Sequence, residues 1–203
     1  MRRAAPPRPG LRESSPRVTR NAVGVRFPSS DRNATELSIA MRKIPNVTVV
    51  AGLAAQVRLA KALNLVLADT YALMSLTHHA HWNVEGPGFF SLHEAFQVQY
   101  EALFQAVDEI AERVRALDQY AVGGLGTLAR MSGMEEFGAP ESQRHYVSGL
   151  LKAHEKVLAD AAVCRDLAGE LGDAQTQDLM IRRVQEHEKI AWMLRSFLKS
   201  AER

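Results

Sequence analysis

The sequence predicts an all-α fold, four long helices in a bundle with a short extra helix in one long connection between the second and third. Three observations carry this. Four segments place apolar residues at intervals of three and four, the spacing of a helix with one buried side. No segment alternates apolar and polar residues with the period of a strand. The connection over residues 118–143 is far longer than the ~2–8 residues usual between helices of a bundle, which implies a crossover that returns along it.

At 203 residues and 46% hydrophobic, the chain can bury one sizeable core. The single cysteine, Cys164, cannot form an intrachain disulfide and points to a reducing compartment. It falls on an apolar helical stripe and reads as a small core residue. No apolar run reaches ~18 residues, so no membrane-crossing helix is expected.

The net charge of +2 hides an asymmetry: residues 1–43 hold ten Lys/Arg against three Asp/Glu, and residues 44–203 hold fifteen against twenty. Residues 1–47, rich in Arg, Pro and Ser without a sustained period, read as a disordered basic arm, and 48–203 as the folded domain. Four readings of the arm stay open. It is a nucleic-acid-binding tail acting through arginines such as Arg2, Arg3 and Arg8, an organellar targeting peptide, an inert solvated tail, or a stretch outside the natural protein, Met41 being a plausible start.

The first helix is expected over residues 53–79, with Leu59, Leu63, Val66, Leu73 and Thr77 on its stripe, and it runs into the cluster His78, His79, His81. Asn83 to Gly88 reads as a turn. The second helix is expected over 92–117. Ser91 and Glu94 form a capping box at its start, and Phe96, Tyr100, Leu103, Val107, Ile110, Val114 and Leu117 form its core stripe. A short helix is expected near 125–131. The third helix begins near Pro140, a favoured first residue, and ends before Gly172. Asp173 then caps the fourth. Four helices with one long crossover between the second and third make the ferritin-like connection. His154 and His187 fall on the stripes of the last two helices and read as hydrogen-bonded core residues.

The chemistry concentrates between His81 and Arg113. His81 and His93 flank a Gly-Pro-Gly turn, and Asp108 and Glu112 lie one helical turn apart on one face. Imidazole with carboxylate suits iron, zinc or manganese. His93 and Asp108 are fifteen residues apart on one helix, roughly 22 Å at 1.5 Å per residue. One chain therefore cannot bring them to a single ion. A shared site needs a second copy, its helix antiparallel about a twofold axis, which predicts at least a dimer. The alternative stays open that the acidic pair is a solvated face beside Arg113 and Arg115, and that the histidines are structural. Trp82, beside His81, reads by itself as an aromatic packed at a turn. None of the seven histidines has Asp or Glu three residues before it, which argues against a Glu-x-x-His di-iron site inside the bundle.

In order and spacing, His81-Trp82-Asn83, Gly86, Phe89, Leu92-His93-Glu94, Asp108 and Ala111-Glu112-Arg113 resemble the signature of the Dps proteins, the DNA-protecting mini-ferritins of bacteria. The resemblance covers residues 48–198. It implies a ferritin-like bundle, a hollow dodecamer and a cytoplasmic, nucleoid-associated location. It also implies a di-iron ferroxidase centre at each twofold interface, where Fe(II) is oxidised, preferably by hydrogen peroxide, and stored as ferric mineral. On this likeness His81 and His93 are metal ligands from one subunit, and Asp108 and Glu112 come from its neighbour, Glu112 bridging two irons. Trp82 matches a tryptophan that takes up oxidising equivalents, and His78 a position near the site. Gln97 departs from the pattern, standing where many members carry an Asp ligand; a neutral amide holds a hard cation less well, so the second iron is expected to bind weakly. Two other functions compete: a nucleoid-coating protein that shields DNA physically, and a structural shell with zinc at its interface.

Overall fold

The computed structural model describes residues 52–138 and 140–200; the arm, with its assignment as a separate segment, lies outside them. The described residues form five helices, α1 (Gly52–Asn83), α2 (Phe89–Ala116), α3 (Leu125–Ser132), α4 (Gln143–Glu170) and α5 (Ala174–Ser200), with no strand among them.

Two apolar clusters fill the bundle end to end. One joins Leu59 and Leu63 of α1 to Ile110 and Val114 of α2, Cys164 of α4 and Met180 of α5. The other joins Leu73 of α1 to Phe96 of α2, Tyr146 and Leu150 of α4 and Leu194 of α5. These partners fix the directions: α1 and α5 run one way, α2 and α4 the other. Because α2 and α4 are parallel, the chain leaving α2 must travel back along the bundle, which is why this connection is long and has room for α3, packed on α1. Charged residues mark the boundary between the clusters. Lys156 donates to both carboxylate oxygens of buried Asp69, at 2.9 and 3.0 Å, and to Asp160 at 2.9 Å. Burial pushes the Asp69 carboxyl up to about 7 against the pull of Lys156.

Local chemistry explains the element ends. Gly172, at φ +72°, ends α4, its N–H reaching the Gly169 carbonyl, and Asp173 caps α5 by accepting from the Thr176 N–H at 2.9 Å. Three ends differ from the sequence expectation. First, α1 continues through His81 and Trp82 to Asn83, because side chains satisfy its last carbonyls: Asn83 Nδ2 donates to the His79 carbonyl and His93 Nδ1 to that of His81, both at 2.9 Å. Second, Ser91 does not cap α2. The helix starts at Phe89 after Gly88, where the turn closes with the Phe89 N–H on the Gly86 carbonyl, and the Ser91 hydroxyl donates to the Gly88 carbonyl at 3.0 Å. Third, α4 starts at Gln143, not near Pro140, because Ser142 supplies the cap by accepting from the His145 N–H. A further expectation needs qualifying: α1 is, by length and composition, apolar enough to cross a membrane, but over half of that stretch is buried inside the bundle, as in a core helix.

Cys164 is buried, and burial pushes its thiol up to about 12, so it stays an inert thiol. His154 and His187 are buried and hydrogen-bonded through their Nδ1 atoms at 2.8 Å.

Candidate metal centre

The turn from Val84 to Gly88 folds the end of α1 against the start of α2. Gly86 takes φ +103°, a left-handed conformation that requires glycine here, and a Cβ on Gly88 would lie 3.0 Å from the amide end of the Gln143 side chain, which would have to shift slightly. Buried Val84 anchors it.

This turn brings His81 and His93 together. Their rings stack with centroids 3.8 Å apart and planes at 22°. Each donates from Nδ1 to the other's backbone carbonyl at 2.9 Å. A carbonyl only accepts, so Nδ1 carries the proton in both rings, and Nε2 is the nitrogen left to bind a cation. The backbone thus fixes tautomer and orientation together, as the outer hydrogen bonds of a metal-binding histidine do.

Asp108 and Glu112 are exposed on α2. Neither meets a side-chain partner among the described residues. The neighbouring arginines are engaged elsewhere. Arg113 forks onto Asp173, at 2.9 and 2.6 Å, and onto Thr176, while Arg115 donates to the Gln119 carbonyl and lies over the Tyr120 ring. The reading of a face paired with these two arginines is therefore corrected. Helix α2 is continuous from His93 to Glu112, so the roughly 22 Å separation stands. Among the described residues no three His, Cys, Asp or Glu side chains of one chain converge on a cation site.

The same side of the molecule exposes large apolar groups: Trp82 is 66% and Phe90 85% accessible, and Val98 and Phe104 are also exposed. Gln97, one turn after His93, donates its amide N–H to Glu101 at 2.9 Å. Tyr100 is not the core residue its stripe position suggested. It is half-buried and stacks on His78 at 4.2 Å, edge-on to His81 at 5.2 Å, while His78 also meets Trp82 at 4.0 Å. In the sequence, its spacing of seven from His93 was the one available sign.

A four-helix bundle with one long crossover, between α2 and α4, has the ferritin-like architecture. The ferritin-like domain model matches residues 60–203. The DNA protection during starvation protein 2 of Bacillus anthracis is 35% identical over 138 residues, 68% of this chain and 94% of that protein. An uncharacterized low temperature-induced protein of Nostoc sp. is 39% identical over 139 residues, 68% of this chain and 78% of that one. The crystal structure of the Vibrio cholerae Dps protein, described as one of the ferritin-like diiron-carboxylate proteins, superposes with a TM-score of 0.70 at 30% identity, covering 75% of this chain and 99% of that chain. This chain belongs to the Dps family.

Proposed function

We propose that the protein is a bacterial ferroxidase and iron store, a hollow dodecamer that oxidises Fe(II), preferably with hydrogen peroxide, keeps the ferric product as mineral and so protects DNA from oxidative damage. The observation that carries this is the reciprocal lock of His81 and His93, which leaves two Nε2 atoms directed by the backbone, together with two carboxylates, unpaired among the described residues, that lie on α2 roughly 22 Å or more from His93. A second copy, α2 against α2, brings Asp108 and Glu112 of one subunit to His81 and His93 of the other. The exposed Trp82, Phe90, Val98 and Phe104 supply the apolar surface that such a contact covers.

Peroxide takes two electrons and each Fe(II) gives one, so two irons reduce it to two waters without releasing hydroxyl radical. Fe(II) is the substrate. The histidines hold it as it arrives, and the carboxylates favour the harder Fe(III) product, with Glu112 bridging the two ions. Trp82 accepts stray oxidising equivalents. The amide of Gln97 leaves the second ion weakly held. The acidic residues of 44–203 draw cations inward.

The test is anaerobic Fe(II) binding, followed by peroxide, on wild type and Asp108→Ala. Fast oxidation in the wild type and its loss in an assembled variant are expected. Equal behaviour would leave the zinc or DNA-coating readings as the better ones. The charge of the arm favours DNA binding as a second function, in a cytoplasmic, nucleoid-associated protein. Deleting residues 1–43 is expected to weaken DNA binding and flatten its salt dependence, and an unchanged gel shift would refute it.

A further inference from the structure

A cavity of about 500 Å³ lies between α4 and the chain that leaves α3, a size usual for small-molecule sites. Residues 133–137 form one wall, and α4 with Leu76 of α1 forms the other. None of His81, His93, Asp108 and Glu112 lines it. Phe137 fastens the first wall. A Cβ on Gly149 would come within 2.5 Å of its ring, so a side chain there would displace it, and the ring stands edge-on to Tyr146 at 5.0 Å.

Two kinds of surface meet in this space. Buried Leu76 and Ala153, with half-buried Met134 and Phe137, supply an apolar body. Lys156 is the only half-buried charge among the lining residues, its ammonium held by buried Asp69 and by Asp160. The remaining charges are exposed at the rim: Glu136, the pair Glu135 and Lys152 at 3.3 Å, and His145, 3.9 Å from Glu141. An apolar body ending at one ammonium suits a hydrocarbon chain ending in a carboxylate. Lys156 is already paired, and Asp69 is the partner that can give way. Burial pushes its carboxyl up to about 7 against the pull of Lys156, so it takes a proton near neutrality. Lys156 and Asp160, both on α4, are the charged groups that act on it; α2 and α3, also packed on α1, bring none among the described residues. With Asp69 neutral, the ammonium keeps Asp160 and can donate to an incoming carboxylate.

We propose that this cavity binds an aliphatic carboxylate of medium length, with Lys156 as its counter-ion, and that the ligand's charge replaces that of Asp69, which takes up a proton as the ligand binds. The hydrocarbon chain lies against Leu76, Met134 and Phe137. No bond is made or broken apart from the O–H formed on Asp69. Asp69 is ionised above about pH 7, so binding there draws a proton from solvent, and affinity falls as pH rises. The site is independent of the ferroxidase reading.

The experiment is isothermal titration calorimetry of decanoate, below its micelle concentration, into the full-length protein at pH 6 and pH 8. Wild type is expected to bind about ten-fold more tightly at pH 6 than at pH 8. At pH 8, buffers of different ionisation heat should report about one proton taken up per decanoate bound. Asp69→Asn should bind with an affinity that no longer depends on pH. Lys156→Met keeps the aliphatic stem without the charge and should lose measurable binding. Ser148→Trp fills the cavity from an exposed position, away from the core, and should lose it too. Decanol bound as tightly as decanoate, or decanoate still bound by Ser148→Trp, would overturn the site. Wild-type pH dependence in Asp69→Asn would overturn the exchange of charges. Wild type that binds no decanoate at either pH would overturn both.

Discussion

The chain holds two histidine pairs, each joining neighbouring helices, and they are disposed in opposite ways. His154 and His187 turn their Nδ1 atoms on each other at 2.8 Å inside the bundle, and the Nε2 of His154 has no partner among the described residues. His81 and His93 turn their Nδ1 atoms on backbone carbonyls, at a turn, with Nε2 left over. Burial drives His187 down to about 4 and His154 well below its ordinary value. The charges of a cation and its carboxylates have no place in that core. At the turn, a neighbouring subunit can bring both. A histidine becomes a ligand through the bond its other nitrogen makes and through what can approach it, and residue type alone decides neither.

The largest expected effect separates the two pairs by chemistry. His93→Ala removes a proposed ligand and also the donor to the His81 carbonyl, and should slow the proposed peroxide-driven iron oxidation by more than about 100-fold, whereas His154→Leu with His187→Leu should leave it near wild type. Stopped-flow absorbance checks both, and a large rate loss in the double variant would erase the distinction.

The second effect reads the buried pair through pH. The folded-state value of His187 lies below its unfolded value of 6.5, so the folded state refuses a proton that the unfolded chain accepts. Stability is full above pH 6.5 and declines as pH falls towards about 4, by about 3 kcal/mol from His187, with His154 adding in the same direction. Urea midpoints at pH 7.5 and 4.5 should differ less in the double leucine variant than in wild type.

The smallest effect sharpens the contrast between the turn and the start of α4. Ser142 accepts from the His145 N–H and Ser91 only donates to a carbonyl. Ser142→Ala should cost about 1 kcal/mol, and Ser91→Ala less than about 0.5 kcal/mol. Equal losses in thermal melts would restore Ser91 as a cap.

Much of the fold was legible because its signals are local. The stripe through Leu59, Leu63, Val66 and Leu73 is a helix period, and Gly172 with Asp173 states both a left-handed end and a cap. The length of the crossover already required α2 and α4 to be parallel. What escaped depends on distant partners. The extra turn of α1 exists because His93, across the turn, takes up the His81 carbonyl. Asp69 sits in an apolar run where only Lys156, 87 positions away, makes a charge tolerable. Of the candidate metal centre, residue types and spacing were readable, including the distance along α2 that keeps Asp108 from His93 within one chain. The tautomers, the engagement of Arg113 by Asp173 and the stacking of Tyr100 on His78 are tertiary facts that no spacing encodes.

The claim that the centre is completed by a second subunit is tested most directly with hybrid shells. His93→Ala and Asp108→Ala subunits are unfolded together, mixed one to one and reassembled, and their iron oxidation is compared with each parent. In a mixed pair both lesions fall on one of the two symmetry-related sites and the other is intact. Random mixing should therefore restore about a quarter of wild-type sites from two inactive parents. Hybrids as inactive as their parents would contradict a shared centre.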